Sequence, residues 1–368
     1  MDELDEFSEE VHRRLYRAFE EAARHKRSTQ DECLFEMNLF EELSLLHFDI
    51  LHGTYHPSPG IAFIVTDPVK REVFAAPFRD RVVHHFLYDV VAPWWETRLI
   101  YDTYSCRPGK GTNFGVERLA RQIRQASRNY TRRVYVAKFD IQGYFMSLPR
   151  QGLYDRVLWG LNRQFPNRSP MYDIQKNLWH EVIFDDPTKN VRRKGNISLW
   201  DDLPLSKSLF HQPRGCGIVI GNLSSQLLSN IYMDPFDRFV KNDLGYKYYG
   251  RYVDDFYIIL TEEQLPYLKE NVRTIELKLS EMRLKLHPKK RSLQEAYHGT
   301  PFLGWVVYPG WIVPAKRIRN NFYHALERLE SGHGDVESII SYLGLMSHYN
   351  SKTAIGKIFY RLGQEYNY

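Results

Sequence analysis

Three aspartates stand where strands would present them. Asp140 comes near the end of an apolar run at residues 134–141 (VYVAKFDI), and Asp254 and Asp255 lie within 246–260 (YKYYGRYVDDFYIIL), whose pattern predicts two strands meeting at a tight turn. Hard divalent cations take carboxylate oxygens, and two of them about 3.5–4 Å apart stabilise both the attacking and the leaving oxygen of an in-line phosphoryl displacement. If the two stretches are neighbours in one sheet, the carboxylates converge on rigid strand ends. Side chains alternate across a strand, so adjacent aspartates cannot both face the same ions unless the turn distorts the backbone. Asp140 and Asp254 are therefore expected as principal ligands, with Asp255 in a secondary role and the main-chain carbonyl of Ile141 as a further ligand. Taken alone, an Asp-Asp pair in a hairpin is also ordinary turn chemistry.

The elements that must hold these residues are legible in outline. Residues 8–26 predict a helix capped by Ser8, with Val11, Leu15, Ala18, Phe19 and Ala22 on one face. A short strand is expected within 53–68, a helix begun by proline over 77–92, an irregular polar insertion over 185–216, and a helix over 222–243. Toward the end, Ile318, Phe322, Ala325, Leu326 and Leu329 mark one helix; Val336, Ile339, Ile340, Leu343 and Met346 mark another. The 368 residues carry 50 Lys and Arg against 45 Asp and Glu, so the distribution of charge matters more than its sum. Six acids fall in the first ten residues, and six arginines with no acid fall between Arg118 and Arg133. Three scattered cysteines give neither a disulfide framework nor a zinc pattern, and no run reaches eighteen apolar residues, so a cytoplasmic protein without a membrane span is expected.

From about residue 50 onward the chain resembles the reverse transcriptases. Tyr252-Val253-Asp254-Asp255 looks like their catalytic box, and Phe139-Asp140-Ile141-Gln142-Gly143-Tyr144-Phe145 looks like the box supplying their first aspartate. Ile220-Gly221-Asn222-Leu223-Ser224-Ser225-Gln226 lies between them, the stretch Leu284 to Lys290 resembles the lysine-bearing motif that follows, and Phe302-Leu303-Gly304-Trp305 resembles the primer-grip hairpin. The resemblance implies an α+β right-hand polymerase: N-terminal extension and fingers over 1–135, a palm over 136–310 with a fingers insertion at about 150–215, and a helical thumb over 311–368. It implies RNA-directed DNA polymerisation with two Mg²⁺ ions, for which Mn²⁺ substitutes, acting on template RNA, a cDNA or primer strand and dNTPs.

Where most members carry Gln-Gly and then Ser-Pro, this chain has Ile220-Gly221 and then Ser225-Gln226, a departure similar to the enzymes of diversity-generating retroelements. Lys207-Ser208-Leu209-Phe210, Ser341-Tyr342-Leu343-Gly344 and His348-Tyr349-Asn350-Ser351 are also similar to that group. Such enzymes copy a template-repeat RNA with frequent errors opposite adenine and work with a small basic ring-forming accessory protein, which the acidic segment from Asp2 to Glu10 would suit; the plainer alternative for that segment is a disordered, solvating tail. Replacing an amide by Ile220 removes a hydrogen-bonding group beside the incoming nucleotide, a rationale for low fidelity; the plainer alternative is a buried apolar residue. The resemblance places Phe145 under the sugar, Lys70 and Arg71 on the triphosphate, Lys290 at the departing pyrophosphate, and Gly221, Ser225 and Gln226 about the nucleotide. Phe302, Leu303 and Gly304 are expected on the primer, and Arg107, Lys110, Arg118 and Arg121 on the template backbone. The rival readings are a retron or phage-defence reverse transcriptase, and a maturase-like RNA-binding scaffold without catalysis.

Overall fold

A computed structural model of the chain describes residues 3–24, 29–66, 69–349 and 356; Asp2, Asn350 and Ser351 of the motifs above lie outside them. Twelve α-helices occur among the described residues: α1 (Glu3–Ala23), α2 (Gln30–Met37), α3 (Leu39–His52), α4 (Phe78–Glu96), α5 (Thr112–Ala126), α6 (Tyr144–Ser147), α7 (Arg150–Gln164), α8 (Pro170–Phe184), α9 (Leu223–Arg238), α10 (Leu268–Glu281), α11 (Lys316–Glu330) and α12 (Val336–Met346). The strands are β1 (Ile61–Val65), β2 (Arg71–Ala75), β3 (Val134–Ile141), β4 (Arg192–Arg193), β5 (Tyr249–Tyr252), β6 (Asp255–Thr261), β7 (Leu286–Glu295), β8 (Thr300–Phe302), β9 (Trp305–Tyr308) and β10 (Trp311–Pro314). The fold is mixed α+β with mainly antiparallel sheets. No described helix is long and apolar enough to cross a membrane.

The chain divides into two compact units, the first formed by residues 1–101, 141–237 and 276–286. Within it α1 packs on α4, burying Val11, Leu15, Ala18, Phe19 and Ala22 as their spacing predicts. The helix starts at Glu3 rather than at Ser8, because the acids of this segment favour the positive end of a helix dipole. Ser8 is consequently inside the helix, its hydroxyl 3.3 Å from Nε2 of His47. The strand expected within 53–68 is β1, paired antiparallel with β2 and parallel with the two-residue β4. The helix expected to end at 92 runs on through Pro93 to Glu96. The one expected over 222–243 stays α-helical only to Arg238 and then widens into a π turn, Phe239–Asp243. The insertion carries β4 and three single 3₁₀ turns, in keeping with its lack of periodicity.

The second unit comprises 102–140, 238–275 and 287–368. Its main sheet runs β5-β6-β3-β7, with β6 antiparallel to both β5 and β3. Helix α5 turns Val116, Leu119 and Ile123 into a core shared with Val136, Tyr257, Ile259 and Trp305, which leaves its arginines on the other faces. A smaller antiparallel sheet orders β10-β9-β8. Helices α11 and α12 meet through Phe322, Ala325, Leu326, Ile339 and Met346, whereas Val336 and Ile340, expected on that face, are exposed.

Candidate active site

Strands β3 and β6 are direct neighbours, and their register sets Asp140 opposite Asp255. On the other side of β6, Tyr252 of β5 pairs with Asp255, so Val253 and Asp254 form a two-residue turn. Val253 has φ 55°, while Asp254 does not share that left-handed conformation. A left-handed first position is the signature of a II′-type hairpin turn, which ordinarily takes glycine there, and a β-branched residue with positive φ is an outlier. This is the distortion that strand alternation required: Asp254 leaves the ladder, and three carboxylates gather at one end of the sheet.

The electrostatics follow from crowding. Burial, reinforced by the charges of Asp255 and Asp140, pushes the Asp254 carboxyl up to about 7. Burial likewise raises Asp255. From β7, Lys290 brings Nζ to 2.8 Å from Oδ2 of Asp140; burial works to lower this ammonium, but the bond to Asp140 and the nearby aspartates hold it above its ordinary value. Lys138 shares a face of β3 with Asp140, and burial lowers its pKa against the pull of Asp255 and Asp140. Among the described residues no group of three or more His, Cys, Asp or Glu side chains is arranged to hold a metal ion. The donor chemistry nevertheless fits a hard divalent cation, since clustered, half-desolvated carboxylates repel one another until a cation joins them.

The family model described as "Reverse transcriptase (RNA-dependent DNA polymerase)" matches residues 71–307, well over half of the chain and all three aspartates. The chain belongs to the reverse transcriptase family. It is similar to Protein YkfC of Escherichia coli (strain K12), with 23% identity over 309 residues covering 74% of this chain and 73% of that protein. This reverse transcriptase is thus an RNA-directed DNA polymerase, a nucleotidyltransferase whose substrates are template RNA, a primer strand and dNTPs. Its mixed α+β fold accords with that of polymerases of the family.

In this reverse transcriptase the hairpin that carries Asp254 and Asp255 is supported by residues that sequence reasoning passed over. Asp102, 2% exposed, accepts from Nε of Arg118 at 2.7 Å and from Nζ of Lys241 at 2.8 Å. The main chain beside it covers the free edge of β5: the Arg251 amide donates to the Asp102 carbonyl at 2.9 Å, and the Tyr104 amide donates to the Arg251 carbonyl at 3.0 Å. Beneath, the hydroxyls of Tyr104 and Tyr257 meet at 2.8 Å in the core. The one signal available in the sequence was Lys138, a cation two residues before Asp140 and hence on its face.

Several predicted contacts share this unit. Phe302 and Trp305 pair across a turn in which Leu303 and Gly304 both have positive φ, and Lys138 Nζ stands 5.8 Å from the centre of the Phe302 ring. Arg118 is engaged by Asp102, Arg107 is buried with Nη1 on the Thr103 hydroxyl at 2.5 Å, Lys110 lies over the Phe114 ring at 5.6 Å, and Arg121 is exposed with Glu117 at 3.3 Å. The other predicted residues belong to the first unit. Ile141 is buried at the end of β3. The Phe145 carbonyl accepts from the Ile218 amide at 3.0 Å, and the Ile220 carbonyl accepts from the Phe74 amide at 3.2 Å. Ile220 packs against Ala62, Phe74, Met146 and Leu209. At Gly221, φ is 131° and a Cβ would stand 2.8 Å from the Phe74 carbonyl oxygen, so no other residue fits there without displacement. Ser225 is buried in α9 with Gln226 half-buried beside it, Lys70 reaches Asp202 at 3.8 Å, and Arg71 is exposed.

Proposed function

We propose that this reverse transcriptase makes error-prone cDNA from the template-repeat RNA of a diversity-generating retroelement, with Asp140, Asp254 and Asp255 as its metal-binding carboxylates. The observation that carries the catalytic part is the register of Asp140 against Asp255, with Asp254 in the adjoining turn. Asp140, Asp254 and the Ile141 carbonyl, seconded by Asp255, would hold two Mg²⁺ or Mn²⁺ ions. When bound, the ions neutralise charge on the attacking and leaving oxygens. Lys290, already an ammonium at the Asp140 carboxylate, meets the negative charge of the departing pyrophosphate. Phe145 rejects a 2′-hydroxyl by bulk, Arg71 and Lys70 hold the triphosphate, Gly221, Ser225 and Gln226 border the nucleotide, Phe302 to Gly304 steady the primer, and Lys110 and Arg121 follow the template, while Arg107 is buried on Thr103 and Arg118 is held by Asp102.

The mutagenic reading rests on Ile220, an apolar side chain where most relatives of this family present an amide. A pocket wall without that hydrogen-bonding group penalises mispaired geometry less. Primer extension on an RNA template followed by cDNA sequencing tests it: substitutions concentrate opposite adenine, and Ile220→Gln lowers them several-fold. An adenine error rate untouched by the substitution refutes the role of Ile220. The acidic face of α1, with Glu6, Glu9 and Glu10, suits docking of a small basic ring-forming accessory protein in a cytoplasmic complex. Deleting the first ten residues abolishes that association; undiminished binding rejects this surface.

A further inference from the structure

The turn that carries Asp254 is strained, and one buried side chain is aimed back at it. Val253 holds φ 55° in a position that glycine normally fills, a conformation that persists only where surrounding groups over-determine it. Arg251 lies two residues earlier on β5, is fully buried, and donates from Nη1 to the Val253 carbonyl at 2.9 Å. Its own main chain is fixed on both sides, by the Asp102 carbonyl and Tyr104 amide at one edge and by pairing with Phe256 of β6 at the other. A guanidinium so anchored is a rigid donor.

We infer that Arg251 is a positioning residue for catalysis: by gripping the Val253 carbonyl it locks the left-handed turn that directs Asp254 toward the metal-binding cluster. The carbonyl belongs to the peptide that joins Val253 to Asp254, so its orientation fixes the plane from which the aspartate departs. A charge-assisted hydrogen bond in a desolvated site is among the stronger ones a side chain can offer a carbonyl. Lysine would bring charge without the planar fork that lets one nitrogen serve the turn while the others serve neighbours. The inference rests on the reading of Asp254 as a metal ligand, but the clamp itself exists in the metal-free protein and can be tested there.

Arg251→Met and Arg251→Met/Val253→Gly are compared with the parent chain by two readouts. In metal-free protein, amide hydrogen exchange across the hairpin of residues 249–260 accelerates about tenfold or more in the single variant, and falls back toward the parent in the double one, because glycine takes the left-handed conformation without strain. In Mg²⁺-dependent primer extension, the single variant loses about 10- to 100-fold in kcat with dNTP KM within about threefold, and the double variant recovers most of the loss. If Arg251→Met does not fold, Arg251→Lys takes its place in both pairs, with the same pattern expected. Unchanged hairpin exchange in the single variant, or a double variant as impaired as the single, overturns the inference. A parent protein that extends no primer would instead refute the functional reading while leaving the exchange comparison to judge the clamp.

Discussion

His84 offers a sharp test of how the first unit is held together. It is 5% exposed on α4, with Nδ1 3.0 Å from the hydroxyl of Ser224 at the start of α9, the helix that follows Ile220-Gly221. Burial, aided by the charges of His85 and Arg81, lowers its pKa from 6.5 to about 3. The unfolded chain therefore binds a proton that the folded chain refuses between those values, and stability must fall as pH drops below about 6.5. One unit is worth about 1.4 kcal/mol, so this residue alone costs about 2 kcal/mol at about pH 5 and about 4 kcal/mol near pH 3. The perturbation is His84→Gln, neutral throughout that window, and the assay is urea unfolding followed by circular dichroism at about pH 7 and about pH 5. Every other titrating group acts equally on both proteins and cancels in the comparison. The parent should lose about 2 kcal/mol more than the variant between the two conditions; equal losses would show that His84 is not held neutral and that the reasoning about this buried contact is wrong.

Three further outcomes are expected. Gly250→Ala drives a methyl group to within 2.6 Å of Cζ and Oη of Tyr257 and against the Tyr104 hydroxyl; overpacking of this kind costs about 1–3 kcal/mol by urea unfolding, and no loss would mean the core beneath the hairpin yields freely. Asp102→Asn leaves Arg118 and Lys241 without their shared carboxylate, and should destabilise by about 3 kcal/mol. A thermal midpoint equal to that of the parent would contradict the burial of this cluster. Lys290→Met should lower kcat for nucleotide addition by about 10²-fold, with Lys290→Arg keeping most of the activity; wild-type turnover in the methionine variant would remove Lys290 from the chemistry.

Much of the site could be read from residue order because strands obey short-range rules. An apolar run ending at Asp140 and an aromatic-rich hairpin around Asp254 announce their elements locally, and the antiparallel pairing of β3 with β6 brings them together. What the sequence does not announce is partnership across long separations. Arg118 reads as one tooth of a basic stripe, yet it is tied to Asp102; nothing in the local pattern distinguishes it from Arg121, which stays exposed. Arg251, between Gly250 and Tyr252, carries no local sign of burial, yet it is fully buried on a β5 edge that residues 102–104 cover. Helix ends shifted for local reasons instead: the start of α1 moved to the acidic residues by dipole, and the end of α9 loosened into a π turn that periodicity cannot foresee.

The three carboxylates are tested most directly by extending a primer annealed to RNA with purified protein, with and without Mg²⁺, beside Asp140→Asn and Asp254→Asn variants whose folding has been verified. Extension that requires the ion and falls by about three orders of magnitude or more in either variant is the result expected of carboxylates that hold the metals. Robust synthesis by the Asp254→Asn protein would contradict it.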